Sequence, residues 1–258
     1  MTTTVDDPAD PRLADFRDLT DADVRPDRRG IVIAEGVSTV ERLLGSPFRP
    51  RAVFGVPARL DTLAPALARH PGLPVFAADK WLLSQVVGFR VTRGVLAAAE
   101  RGAPRDPHEL LADARRVAVL VGLNDFENLG ALFRNAAAFG VDAVLLDPTC
   151  ADPLYRRSVR VSMGHALRVP FAVTADPLAA LRDAGLTSLA LTPRATATPV
   201  REVAVPERWA VVLGAEGPGL PDDVIAGADR AVRIPMASGV DSLNVATAGA
   251  VAFATLSG

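Results

Sequence analysis

The residues of this sequence best suited to chemistry fall in three short stretches of its second half. The first runs Asn124-Asp125-Phe126-Glu127-Asn128-Leu129-Gly130 and continues through Arg134 to Ala136. It follows an apolar run and opens a helical pattern. That places Asn128 at the expected N-cap, where a side-chain oxygen satisfies a free backbone donor. Gly130 and Arg134 are four residues apart and share a helical face. The second stretch, Leu213-Gly214-Ala215-Glu216-Gly217-Pro218-Gly219-Leu220-Pro221, holds three glycines and two prolines in nine residues. Such a loop turns sharply and lets its backbone approach a ligand closely. It lacks the Gly-Lys-Ser/Thr ending of a phosphate loop, and its glycine spacing does not match a dinucleotide fingerprint. The third stretch leaves a strand at Arg233-Ile234-Pro235-Met236 and enters the last helix through Ser242-Leu243-Asn244. Ser242 is placed as that helix's cap, with Asn244 in its first turn. Each stretch also has a plainer reading as a cap, a turn or a packing glycine.

The elements that must position these loops alternate between strand and helix. Apolar runs at Val117–Leu123, Ala143–Leu146, Val169–Val173, Ser188–Leu191, Trp209–Leu213 and Ala231–Ile234 read as strands. Helical spacing occupies Leu129–Phe139, Tyr155–Ala166, Pro177–Ala184, Asp222–Ile225 and Leu243–Leu256. This alternation predicts an α/β fold with a parallel sheet covered on both faces, with ligands beyond the carboxyl ends of the strands. A smaller α/β unit precedes it, with strands expected at 31–34, 52–56, 74–77 and 94–99. The expected organisation is a loose N-terminal arm over 1–27, a small domain over 28–101, a linker over 102–115 and the larger domain over 116–258.

Composition narrows the function classes. The chain has 258 residues, 49% of them hydrophobic, and no apolar run approaches the ~20 residues of a membrane span. Its N-terminus lacks the basic-then-apolar order of a secretory signal. Cys150 is the single cysteine, so neither an internal disulfide nor a multi-cysteine metal site is available. These features point to a cytoplasmic protein without a metal. The net charge of −2 argues against a surface basic all over, while a local patch can still carry phosphate contacts. The candidate patch spans Pro153 to Ala175, which has no acidic residue but contains Arg156, Arg157, Arg160, His165 and Arg168. Arg156 and Arg160 share a helical face. Arg156, Arg157 and Arg160 are therefore the expected phosphate contacts.

Together and in this order, the three stretches resemble the signature motifs of the SpoU-type (TrmH-like) RNA methyltransferases of the SPOUT superfamily. These are Asn-x-Gly-x-x-x-Arg at 128–134, Gly-x-Glu-Gly-x-Gly at 214–219 and Ile-Pro-Met…Ser-Leu-Asn at 234–244. The likeness extends from Val117 to Leu256, and Val161-Ser162-Met163-Gly164-His165 is similar to a further family segment. Residues 28–101 are similar to the ribosomal-protein-like substrate domain often found in this family. The resemblance implies a trefoil-knotted C-terminal sheet, a homodimer, and methylation of a ribose 2′-hydroxyl in rRNA or tRNA with S-adenosylmethionine. It implies that Gly214, Ile234 and Leu243 contact the cofactor, mainly through backbone groups, with Thr192, Gly217 and Met236 as further candidates. It implies that Arg134 holds the ribose and a phosphate, and that Asn128, Glu216, Ser242 and Asn244 position it, the loops and the sugar. The rival expectation is an RNA-binding or ribosome-assembly factor of the same fold without the chemistry.

Overall fold

The structure, a computed structural model, describes residues 2–17, 19 and 30–257. The chain divides into two compact units, Met1–Ala103 with Pro153–Arg168, and Pro104–Asp152 with Val169–Gly258.

The first unit runs β1 (Thr2–Thr4), β2 (Ile31–Glu35), α1 (Val37–Leu44), β3 (Pro50–Gly55), α2 (Pro57–Leu67), β4 (Val75–Ala77), α3 (Lys80–Val87) and β5 (Val95–Glu100). Its sheet has the order β1-β4-β3-β5-β2. The pairs β1/β4 and β4/β3 are parallel, while β5 lies antiparallel to both β3 and β2. The loose arm expected over 1–27 is corrected where it is described. Thr2, Thr3 and Thr4 form an edge strand on β4, and Val5, Leu13 and Phe16 are buried. Three β-branched residues favour a strand, and the apolar side chains behind them join the unit's core, with the Phe16 ring 5.5 Å from Phe54. Residues 1, 18 and 20–27 of that arm lie outside the described residues.

The second unit runs α4 (Pro107–Leu111), β6 (Arg116–Val121), α5 (Phe126–Ala138) and β7 (Ala143–Leu146). After α6 (Arg156–Val161), which belongs to the first unit, come β8 (Phe171–Val173), α7 (Pro177–Asp183) and β9 (Thr187–Leu191). Then follow β10 (Thr198–Pro199), β11 (Trp209–Gly214), α8 (Asp222–Gly227), β12 (Arg230–Arg233) and α9 (Val245–Ser257). The sheet order is β10-β12-β9-β11-β6-β7-β8, and every pairing is parallel. Strands β6 and β11 are apolar on both faces, as a strand sandwiched between helices must be. Helices α5 and α9 pack on each other. A Cβ on Gly249 of α9 would lie 2.5 Å from Leu132 Cδ2 of α5, so a side chain there would have to displace Leu132. The linker expected over 102–115 is shorter than that. Asp106 caps α4 by accepting from His108 N (2.8 Å) and Glu109 N (3.1 Å), and Leu111 is buried. The Arg208 guanidinium donates to the carbonyls of Leu111 (2.8 Å) and Ala114 (2.9 Å), which ties the segment down.

The single helix expected over Tyr155–Ala166 is interrupted. It stops at Val161, Met163 and Gly164 take positive φ (55° and 84°), and a 3₁₀ turn follows at His165–Leu167. Positive φ is uncommon outside glycine. Here Arg42 Nη1 donates to the Met163 carbonyl at 2.6 Å and holds it. Because α6 rests on β2, residues 153–168 fall in the first unit, whereas the sequence places them in the larger domain.

Candidate active site

In the second unit, β11 lies between β9 and β6, although it follows both in sequence. The chain reverses its direction of sheet growth there, which is where open α/β sheets form clefts at their carboxyl ends. The ends of β9, β11 and β12 open onto a cavity of about 640 Å³, a volume in the range of small-molecule sites. Three separated segments line it: Leu191–Arg194, Leu213–Leu220, and Ile234 with Met236 and Ser242–Val245.

The middle segment owes its shape to glycine. Ala215 and Gly219 bridge as a tiny antiparallel pair, with Gly219 N donating to Ala215 O at 3.0 Å. Gly217 and Gly219 have φ of 86° and 71°. Gly214 is the most constrained, since a Cβ there would lie 2.4 Å from both Gly219 C and Leu220 N. Its backbone reaches the cavity because nothing larger than hydrogen fits behind it.

A polar node closes the cavity at the start of α9. Asn244, expected in the first turn, is the N-cap itself: its Oδ1 accepts from Ala246 N (3.0 Å) and Thr247 N (3.1 Å). This corrects the capping role expected of Ser242. The Asn244 Nδ2 donates to Asn128 Oδ1 at 2.8 Å and to Glu216 Oε1. Glu216 Oε1 also accepts from Val245 N at 3.3 Å. The capping role expected of Asn128 likewise passes to a neighbour. Asp125 caps α5, accepting from Glu127 N (3.0 Å) and Asn128 N (2.8 Å), so α5 begins three residues earlier than Leu129. The Asn128 amide is thereby released to join the node. Asn135, which sequence reasoning passed over, donates Nδ2 to Ala246 O at 2.8 Å and straps α5 to α9. Nothing in its own neighbourhood signalled this, whereas Asp125 was legible as a capping residue type.

Thr192, Gly214, Gly217, Ile234, Met236 and Leu243 all lie on the cavity wall, as do Glu216, Ser242 and Asn244. Asn128 meets the wall through Asn244. Arg134 is not part of the lining. It is exposed on α5, where Gly130 is buried, and its guanidinium has no ion-pair or hydrogen-bond partner among the described residues.

The arginines of α6 lie in the other unit, and one of them is corrected. Arg156 donates through Nη1 to Glu35 Oε2 (3.2 Å) and through Nη2 to Leu19 O (3.5 Å), and its guanidinium stacks 4.3 Å from the Phe89 ring centre. Its side chain is 22% exposed and that of Glu35 only 3%. Burial lowers the Arg156 pKa, with the Glu35 carboxylate pulling the other way. A cation so engaged holds the unit together rather than meeting phosphate. Sequence spacing could not reveal a partner 121 residues away. Arg157 is exposed and Arg160 half-buried. Cys150 sits between Leu123 N and the Leu120 carbonyl, each 3.3 Å from Sγ, and burial pushes its thiol up to about 12. Among the described residues, no group of three or more His, Cys, Asp or Glu is placed to hold a metal, and no helix is long and apolar enough to cross a membrane.

Comparison with known proteins agrees with this geometry. The SpoU rRNA Methylase family model matches residues 115–254. An uncharacterised tRNA/rRNA methyltransferase of Mycobacterium tuberculosis (strain H37Rv) is 51% identical over 256 residues, covering 96% of this chain and 88% of its own. A 23S rRNA (guanosine-2′-O-)-methyltransferase, RlmB, of a Burkholderia species is 31% identical over 81% of this chain and 89% of its own. The crystal structure of an AdoMet-bound rRNA methyltransferase from Sinorhizobium meliloti superimposes with a TM-score of 0.83 at 23% identity, covering 99% of this chain and 97% of that one, a likeness of fold. With two of the motif-bearing stretches lining one cavity, the third tied to it through Asn128, and the family model matching residues 115–254, the chain belongs to the SpoU rRNA methylase family.

Proposed function

We propose that this protein methylates a ribose 2′-hydroxyl of structured RNA, in rRNA or tRNA, with S-adenosylmethionine as donor. The observation that carries the reading is the meeting of three sequence-distant segments in one cavity tied by Asn128, Glu216 and Asn244. The cavity fits an adenosyl group: Leu191, Leu213, Ile234, Met236 and Leu243 supply apolar walls, and the Gly214 loop supplies backbone donors and acceptors at close range. Bound there, the sulfonium supplies an electrophilic methyl group.

The chain's own task is to place a sugar oxygen and to favour loss of its proton. Orientation alone is worth up to about 7–11 kcal/mol. Glu216 and Asn128 hold Asn244 from two sides, so the start of α9 cannot shift without breaking both bonds. The uncommitted guanidinium of Arg134 binds the nucleotide's phosphate and stabilises negative charge growing on the 2′-oxygen. Because a guanidinium remains cationic, the proton passes to that phosphate or to water. The first unit serves as the substrate domain.

We assign a homodimer and a trefoil knot on the same reading. Helix α9 has no charged residue and exposes Val251, which supports burial against a second copy. The insertion of β11 between β9 and β6 supports threading of the loops around it. The reading places the protein in the cytoplasm, with its RNA.

Calorimetry with S-adenosylmethionine, paired with mapping of 2′-O-methyl sites in rRNA and tRNA from cells lacking the protein, tests the reading. Saturable binding and the disappearance of one methyl mark are expected. No binding rejects the cavity assignment. Binding with every mark retained favours the silent RNA-binding factor.

A further inference from the structure

The entries to three helices meet at one end of the first unit's sheet. Ala78 N donates to Gly55 O (3.2 Å), Val56 N to Gly94 O (2.9 Å) and Gly36 N to Val95 O (2.9 Å). The starts of α1, α2 and α3 and the start of β5 therefore form one rim. Trp81, in the first turn of α3, stands on it with 66% of its surface exposed, more than any other large hydrophobic residue among those described. Leaving an indole in water forgoes one of the largest burial gains a side chain offers. Its backbone is well fixed: Asp79 caps α3 by accepting from Leu82 N at 2.7 Å, and Ala78, Leu82 and Leu83 are buried.

The same rim is cationic. Lys80 adjoins Trp81. The Arg59 side chain lies against Gly94, and the Arg93 side chain so close to Gly36 that a Cβ there would be 2.8 Å from Arg93 Cδ. All three are exposed, and among the described residues none forms an ion pair. The carboxylate next to Lys80, that of Asp79, is occupied by the cap, and the exposed Asp61, two residues beyond Arg59, forms no ion pair among the described residues. Strands β4 and β5 are separated by β3, so the two strand ends that lead to Trp81 and Arg93 stand roughly 10 Å apart, two strand spacings. Long side chains rooted near both ends can reach one short stretch of RNA. An exposed, rigidly mounted aromatic among unpaired cations matches the way single-stranded RNA is held, with a base stacked on the ring and phosphates on the cations.

We infer that Trp81 is a stacking platform for an unpaired base of the RNA substrate, with Lys80, Arg59 and Arg93 holding the flanking phosphates. This builds on the reading that the protein acts on RNA, and its test separates the two. Trp209, the second of the two tryptophans, is buried in β11 and serves as an internal reference. Intrinsic fluorescence of the full chain is titrated with an RNA hairpin carrying an unpaired loop and with a blunt RNA duplex. The hairpin is expected to quench the wild type and leave Trp81→Phe emission unchanged, with the duplex quenching neither. Base–aromatic stacking predicts at least about fivefold weaker hairpin binding for Trp81→Ala, largely restored in Trp81→Phe. Arg93→Ala should lower the salt slope of binding by about one. Equal hairpin affinity in wild type and Trp81→Ala overturns the inference. So does a change of oligomeric state in Trp81→Ala with RNA affinity intact, which marks a protein contact. Methyl transfer is assayed alongside. Quenching without transfer leaves Trp81 in place and sinks the enzymatic reading, while transfer with no Trp81 signal does the reverse.

Discussion

Helices α5 and α6 each carry an arginine that the sequence puts forward, and the structure gives them opposite fates. Arg134 on α5 is exposed and uncommitted, one residue before Asn135, which straps α5 to α9. Arg156 on α6 is enclosed by Glu35, Phe89 and the Leu19 carbonyl. A guanidinium with its donors occupied is part of the architecture, and one without partners is available for a ligand. The difference lies in the surroundings and not in the residue or its local spacing.

The sharpest way to break this contrast is to remove each arginine in turn. Arg134→Ala should lower methyl transfer by about 10²–10³-fold, the range for losing one preorganised charge-stabilising donor. Its melting temperature and S-adenosylmethionine affinity should stay at wild-type values. Full activity in that variant would remove Arg134 from the mechanism. Arg156→Ala should instead destabilise the protein by about 3 kcal/mol in urea, because it strands the buried Glu35 carboxylate. The double replacement Arg156→Met with Glu35→Leu should recover most of that loss. A double variant as unstable as the single would show that packing, not the stranded charge, was responsible.

A finer test addresses the node. Asn244→Ala should cost about 1 kcal/mol as a lost cap, whereas Ser242→Ala should leave unfolding unchanged, since Asn244 makes the capping bonds. Equal losses would restore the cap to Ser242. The smallest effect concerns Cys150. Burial raises its pKa to about 12, so the thiol stays protonated and unreactive through the physiological range. Alkylation of the folded protein at pH 8 should be far slower than that of the urea-unfolded chain. Comparable rates would mean the thiol is open to solvent.

Much of this was legible beforehand for physical reasons. Strands such as 117–121 and 209–214 are apolar on both faces and short, and the glycines at 214, 217 and 219 announce a backbone turn. Capping was the weak point. Asp125 beside Asn128 and Asn244 beside Ser242 offered two acceptable caps each, and only the register of the helix decides between them. The N-terminal arm misled because composition alone cannot tell an edge strand from a loose tail when its partner, β4, lies some seventy residues on. The Arg156–Glu35 pair and the Asn135 strap were out of reach, since each joins residues more than a hundred positions apart.

Strand β11 occupies the middle of seven and runs straight into the Gly214 loop. Amides in such a position exchange with solvent only when the whole layer opens. A molecule gripped at that strand's end is thereby coupled to the global unfolding of the second unit and not to a local breathing motion. Ligand at a hundred times its dissociation constant adds about 2.7 kcal/mol to the folded state. Deuterium uptake at the fully buried Val211 and Val212 should slow by the corresponding hundredfold, which makes the interior of the sheet a direct gauge of occupancy.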